Sequence, residues 1–201
     1  MKNLYILLTT ILFITGCSNI RNINKESQFS VEQSNLIMSA DSTTPMRVLS
    51  IFNKKDSVVL RTKCEDVVAD QQDILLNSLI KRMYATVNDT LNPGVGIAAP
   101  QVGILKNIIW VQRYDKPGEP FEVYLNPRII QYTKQKLRWI EGCLSVPGMK
   151  DTTTTRSYAI LLDYLRPDNS HKVEMVEGFT AIIFQHEIDH LNGVIYLDRR
   201  K

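Results

Sequence analysis

Apolar residues recur every three or four positions over residues 71–87, and this spacing predicts an amphipathic helix. Between this helix and the C-terminus, short runs rich in β-branched and aromatic residues predict strands, and Pro-Gly and Pro-Asp-Asn sequences predict turns between them. The apolar helix positions are Leu75, Leu76, Leu79, Ile80, Met83 and Val87. The predicted strands cover 107–112, 122–130 and 157–164, and the predicted turns lie at 117–118 and 167–169.

A second helical pattern near the C-terminus carries two histidines on the same stripe as its apolar residues. We expect this helix to begin at Gly178 or just before it. We expect it to end at Asn192 and Gly193, because glycine readily adopts a left-handed C-terminal cap. The histidines should therefore face the core. The stripe comprises Phe179, Ile182, Ile183, His186 and His190.

Strands grouped around two helices indicate an α+β fold with short antiparallel sheets. Residues 45–201 are enough for one domain with a substantial core, and the chain shows no internal repeat.

The N-terminus has the pattern of a secretory signal. Lys2 precedes an almost wholly apolar run over 4–14, which is too short to span a membrane comfortably. Ile-Thr-Gly-Cys at 14–17 also resembles a bacterial lipobox, in which Cys17 becomes the lipidated first residue. We therefore predict a signal peptide over 1–16. An uncleaved anchor helix is the alternative.

Residues 17–44 are dominated by polar side chains, so we predict that lipidated Cys17 is followed by a flexible tether. Loss of Lys2 with the signal peptide lowers the formal net charge from +3 to +2. This small charge argues against nucleic-acid binding.

The most informative motif is Gln-His-Glu-Ile-Asp-His-Leu at residues 185–191. His186 and His190 lie one helical turn apart, so both imidazoles can bind one metal ion, and Glu187 between them can transfer a proton. The alternative is a helix with two hydrogen-bonded structural histidines.

A catalytic metal site usually has a third protein ligand and an open position. Cys143, in Glu-Gly-Cys-Leu-Ser at 141–145, offers a thiolate for a borderline or soft divalent ion. Its alternative role is that of a small buried hydrophobic residue, and spacing alone does not favour it over Cys64.

A third segment, Gly-Val-Gly-Ile-Ala-Ala-Pro-Gln at 94–101, combines glycines with an amide side chain. The glycines allow close approach of the backbone to a ligand, and Gln101 offers a donor for an oxyanion. Alone, the segment is a weak signal, since glycine-rich turns are common.

Together, and in this order, the three segments resemble those of peptide deformylases. That family carries Gly-x-Gly-x-Ala-Ala-Pro-Gln, Glu-Gly-Cys-Leu-Ser and Gln-His-Glu-x-Asp-His-Leu, and all three motifs are present here. The resemblance covers about residues 45–198, including a weaker match at Leu60-Arg61. It implies that residues 45–201 form a deformylase catalytic domain with short antiparallel sheets around a metal-binding helix.

The resemblance implies a role for each matching residue. Cys143, His186 and His190 would bind the metal, with Glu187 as general acid and base. Gln101 and the backbone N–H of Leu144 would stabilise the oxyanion. Gly96 and Gly142 would hydrogen-bond the substrate main chain. The methionine pocket would be lined by Val95, Phe179 and Ile183, and Trp139 lies close enough to the cysteine motif to border it.

The resemblance also implies one divalent ion, with iron(II) favoured, and N-formyl-methionyl peptides as substrates. The ligand types suit zinc, nickel or cobalt as well. We expect a monomer in which Cys64 stays a buried, unpaired thiol, because a disulfide to Cys143 would destroy the metal site.

The two ends of the chain bear on location. Many bacterial cytoplasmic deformylases continue into a basic C-terminal helix associated with ribosome docking, and none is evident after Asp198. We therefore expect a membrane-anchored, extracytoplasmic lipoprotein, with a cytoplasmic enzyme as the alternative. Two other functions stay open: a zinc metallopeptidase, and a formyl-peptide-binding lipoprotein without catalytic activity.

Overall fold

A computed structural model of the protein describes residues 27–200. The predicted signal peptide and Cys17 lie outside the described residues. The helices are α1 (Val31–Ile37), α2 (Lys54–Leu60), α3 (Ile74–Val87) and α4 (Gly178–Leu191), with 3-10 turns at Ala99–Val102 and Tyr196–Arg199. The strands are β1 (Gly96–Ala98), β2 (Ile108–Gln112), β3 (Phe121–Tyr132), β4 (Lys136–Gly142), β5 (Lys150–Ser157), β6 (Ala159–Leu165) and β7 (His171–Glu177).

Five strands form one antiparallel sheet in the order β1-β2-β3-β6-β7, and β4 and β5 form a separate antiparallel pair. Side chains that alternate along the strands pack against opposite layers. Ile108 and Val123 belong to a core cluster with α3, whereas Ile109 and Tyr124 belong to a cluster with α4. The larger sheet therefore separates α3 from α4.

Helix α4 is almost wholly buried, and its ends match the sequence prediction. It begins at Gly178 and is capped by Asn192, followed by Gly193 in the left-handed region at φ 72°. A Cβ at position 193 would collide with the Arg61 backbone, so this turn requires glycine for space as well as for conformation. None of the helices within residues 27–200 has both the length and the apolar character needed to cross a membrane.

The prediction of a flexible tether over 17–44 is wrong for its second half. Residues 31–37 form α1, which is preceded by the N-cap residue Ser30, and Ser30 and Gln33 make a capping box. Phe29 and Ile37 are buried in the core cluster that contains α3. The polar average composition of residues 17–44 concealed Phe29 and Ile37. Both of these apolar residues reach the same core cluster.

Buried Arg82 on α3 holds the end of this segment. Its guanidinium donates to the carbonyl oxygens of Leu36 and Ile37, both at 2.9 Å, and to that of Thr44 at 3.1 Å. The first two carbonyls belong to the last turn of α1, where a cation is favoured by the helix dipole. Residues 27–44 are therefore part of the folded domain.

Candidate metal centre and active site

Three predicted ligands converge where α4 passes the end of β4. The ligand atoms of Cys143, His186 and His190 all lie within 4.8 Å of one another. Cys143 Sγ is 3.2 Å from His190 Nε2, although the two residues are 47 positions apart in the chain. Cys143 follows directly after β4, whereas the histidines share one face of α4. The prediction that these three residues come together is confirmed geometrically.

The donors suit a divalent transition-metal ion. One thiolate and two imidazoles are ligands for zinc, iron(II), nickel or cobalt, and three protein ligands leave an open position for a reactant. Burial, followed by repulsion from a charged His186, lowers the pKa of His190 well below its usual value. A neutral imidazole is the form that can coordinate a cation, so His190 is ready to bind. Burial opposes protonation of His186, but hydrogen bonds with Cys143 and Glu141 outweigh it and raise the pKa of His186, so this ring would release a proton when a cation binds. The residues present therefore fit a metal ion.

Buried Glu141 orients one of the two histidines. Its Oε2 accepts a hydrogen bond from His186 Nδ1 at 2.8 Å, which leaves Nε2 of that ring for a ligand. Burial opposes ionisation of Glu141, but hydrogen bonds from His186 and Arg156 outweigh it and lower the pKa of Glu141 to about 2. The carboxylate therefore stays an acceptor at neutral pH.

Arg156 connects the Glu141 carboxylate to Asp189 on α4. It donates to Glu141 Oε1 at 2.8 Å and to Asp189 Oδ2 at 2.6 Å, and its side chain is 3% exposed. Thr153 donates a further short hydrogen bond to Glu141. Sequence reasoning missed this network. Glu141 and Asp189 stand inside recognised motifs, but nothing in the threonine-rich segment marked Arg156 as their partner.

Glu187 lies in the same buried centre without being one of the three converging ligands. Glu187 is 4% exposed, and its Oε2 has no hydrogen-bond partner among the described residues. Burial raises the pKa of Glu187 to about 7. A carboxyl group in such a place can exchange a proton near neutral pH.

Position 96 on β1 requires glycine because its backbone lies too close to the Glu187 carboxylate to leave room for a side chain. A Cβ at position 96 would lie 2.5 Å from Glu187 Oε1 and 2.9 Å from Ile183 Cγ2. The glycine in the third motif thus makes space for the carboxylate and for close approach of a ligand.

Gln101 faces the Cys143 sulfur from the 3-10 turn after β1. Its Oε1 accepts from the Ala98 backbone N–H at 2.8 Å, which fixes the amide orientation. Its Nε2 then lies 3.6 Å from Cys143 Sγ and 3.3 Å from Ser145 Oγ. The amide donor is therefore aimed at the space beside the predicted metal ligands.

A cavity of about 810 Å³ opens onto this centre. All five predicted substrate-contacting residues line it, together with Gln101, Glu187 and Leu144; the five are Val95, Gly96, Gly142, Phe179 and Ile183. The expectation that Trp139 borders the pocket is confirmed, since its ring stacks on that of Phe179 with centroids 5.0 Å apart. Sequence reasoning missed Ile140, Met149 and Lys150 in the lining.

The remaining described cysteine and histidine lie apart from the three converging ligands. Cys64 is buried and unpaired, as predicted, and burial raises the pKa of its thiol to about 12. His171 is exposed at the start of β7, where its ring contacts Asp163 at 2.7 Å.

Comparison with known proteins identifies relatives that cover most of the chain. The family model for polypeptide deformylase matches residues 48–201. The peptide deformylase of Leptospira biflexa is 37% identical over 163 residues, covering 77% of this chain and 87% of that protein. Peptide deformylase 1 of Clostridium perfringens is 38% identical over 145 residues, covering 71% of this chain and 92% of that protein.

Solved structures show the same architecture. A class I type b peptide deformylase from Acinetobacter baumannii with bound Met-Ala-Ser matches with a TM-score of 0.68 and 31% identity, covering 78% of this chain and 99% of that one. A peptide deformylase from Synechococcus elongatus in complex with actinonin matches with a TM-score of 0.67 and 30% identity, covering 78% and 79%. The predicted α+β fold, with antiparallel sheets packed around the helix of the His-Glu-x-x-His motif, is confirmed. The chain therefore belongs to the polypeptide deformylase family of enzymes.

Proposed function

We propose that this protein removes the N-formyl group from formyl-methionyl peptides by hydrolysis, releasing formate and a free amine. The observation that carries this proposal is the position of buried Glu187 beside the converging Cys143, His186 and His190, with Glu187, Cys143 and His186 lining one cavity. A proton-transferring carboxyl group, a metal-binding donor set and an oriented amide donor are together what amide hydrolysis requires.

Cys143, His186 and His190 would hold a divalent ion, which would activate water and polarise the formyl carbonyl. Glu187 takes a proton from the attacking water and delivers it to the leaving amine. Its pKa of about 7 suits both transfers. Gln101 Nε2 and the Leu144 N–H donate to the oxygen on which negative charge develops, each contributing about 3–4 kcal/mol.

Substrate binding follows from the same cavity. Gly96 and Gly142 offer backbone groups to the main chain of the peptide, and Val95, Phe179 and Ile183 receive its methionine side chain. The stacked Trp139 and Phe179 rings add an aromatic wall, against which a thioether packs favourably.

The proposed resident ion is iron(II), which the family resemblance favours. Zinc, nickel and cobalt suit the same donors, because ligand type separates these ions less than their availability does.

We further propose that lipid on Cys17 tethers the enzyme to a membrane outside the cytoplasm. The short apolar run, Gly16 before the cysteine and the basic start of the chain support this proposal. Since formylated N-termini arise at cytoplasmic ribosomes, the substrates there would be released or exported formyl-peptides. The function would then be their clearance rather than protein maturation.

Formate release from formyl-Met-Ala by the purified, metal-loaded protein tests the proposed reaction, with Glu187→Ala as matched control. We expect release by the wild type and nearly none by the variant. Cleavage of internal peptide bonds without formate release would favour a zinc metallopeptidase. Binding of the formyl-peptide without turnover would favour a binding lipoprotein that lacks activity.

A further inference from the structure

Lys150 begins β5 directly opposite Gly142, the residue before Cys143. Because Gly142 has no side chain, the Lys150 side chain lies across it. A Cβ at position 142 would be 3.3 Å from Lys150 Cγ and 3.6 Å from its Cε. The aliphatic part of Lys150 thus covers the glycine that is proposed to bind the substrate main chain, and this exposed lysine also lines the cavity.

The charge of Lys150 is not neutralised by neighbouring carboxylates. Within residues 27–200, no ion pair joins it to an acidic side chain. Its neighbour Asp151 is engaged by Arg200 at 3.2 Å, and Glu141 is engaged by Arg156 and His186. Among the described residues that line the cavity, Lys150 is the sole lysine or arginine.

We propose that Lys150 binds the terminal carboxylate of short, free formyl-peptides, an inference that rests on the proposed deformylation. A peptide held at its formyl end by the buried centre, and along its main chain by Gly142, extends toward the rim. An extended peptide advances about 3.3 Å per residue, so the carboxylate of a peptide of two or three residues lies within about 10 Å of its first residue and can meet a cation on the cavity wall. A long polypeptide has no carboxylate at this distance from its N-terminus.

Lys150 thereby acts as a specificity residue for small peptides relative to protein N-termini. The contact forms far from the reacting carbonyl, so it stabilises the bound substrate and the transition state equally. Its effect is expected in KM and not in kcat. Since the ammonium is solvent-accessible, the effect should be modest and should decrease as ionic strength rises.

The test compares formyl-Met-Ala-Ser with its C-terminal amide by formate release from the metal-loaded protein. We expect kcat/KM for the acid to exceed that for the amide by about fivefold, mainly through KM. Lys150→Met should bring the ratio of acid to amide close to one, and Lys150→Arg should restore it. Lys134→Met is the matched control, because it removes the same charge from an exposed position outside the cavity and should keep the wild-type ratio.

Binding of Met-Ala-Ser and its amide, measured by calorimetry, provides a second measurement that does not depend on turnover. An equal preference for acid and amide in the wild type, or a preference that Lys150→Met retains, would overturn the role of Lys150 while leaving deformylation intact. If neither substrate releases formate, the proposed function itself fails, and the inference about Lys150 fails with it.

Discussion

Glu141 Oε2 accepts a hydrogen bond from His186 Nδ1 at 2.8 Å, across 45 residues of sequence. The bond joins the C-terminal end of β4 to α4, so the two motifs that carry the predicted ligands position each other. Orientation of a metal-binding imidazole by a carboxylate typically changes metal affinity by about 10- to 100-fold.

Glu141→Gln should therefore weaken metal binding by about 10- to 100-fold, because the amide is a weaker acceptor for His186 and cannot neutralise Arg156. Competition with a chelator followed by metal analysis measures the change. Glu122→Gln is the control: Glu122 belongs to a polar cluster with Lys116 and Arg166, and its loss should leave metal affinity unchanged. Equal affinities for wild type and Glu141→Gln would contradict the orienting role.

Replacing Glu187 and replacing Cys143 should have different consequences. Glu187→Ala should retain the metal and lose nearly all formate release, since the carboxyl transfers protons and is not among the converging ligands. Cys143→Ala should lose the metal itself. Metal content and formate release of both purified variants decide the matter, and equal metal content in the two would show that the roles are wrongly assigned.

Residues 27–44 should contribute to stability because α1 is packed against α3. Ile37→Ala should lower the free energy of unfolding by about 2–4 kcal/mol, since Ile37 is fully buried. Val31→Ala in the same helix is the control. Val31 is 73% exposed, so its replacement should cost less than about 0.5 kcal/mol. Denaturant titration measures both changes, and a small effect for both variants would restore the view of this segment as a tether.

The cavity should prefer methionine after the formyl group. Val95, Phe179 and Ile183 provide apolar surface for a flexible thioether, so norleucine should be accepted as an isostere. A glutamate side chain would bury a charge without a partner there, so kcat/KM should fall by about 100-fold or more. Comparable values for formyl-Met and formyl-Glu peptides would sink this assignment of the pocket.

Cells fed a fatty-acid analogue should label the wild-type protein but not the Cys17→Ala variant. Cys64→Ala is the matched control and should keep the label, because the Cys64 thiol is buried and its pKa is raised to about 12. Cell fractionation shows where the protein lies. Absence of label on a wild-type protein found in the soluble cytoplasm would return nascent-chain deformylation as the leading function.

Local sequence determined much of this protein. The spacing of apolar residues predicted α3 and α4 closely, since helix periodicity is a property of neighbouring residues. Gly193 marked the end of α4, because a left-handed C-terminal cap also depends only on neighbouring residues. The metal-binding residues and Glu187 were found from short motifs, in which the chemistry itself requires particular side chains.

Only the tertiary structure decided the features that depend on distant partners. Strands β4 and β5 pair because each supplies the other with hydrogen bonds, and the threonine-rich sequence of β5 carries little periodic signal. Arg156 becomes the link between Glu141 and Asp189 only when β5 is laid beside α4. Likewise, Phe29 and Ile37 find a core only because α3 provides one. Burial and charge pairing are long-range properties, and for this reason average composition could not reveal them.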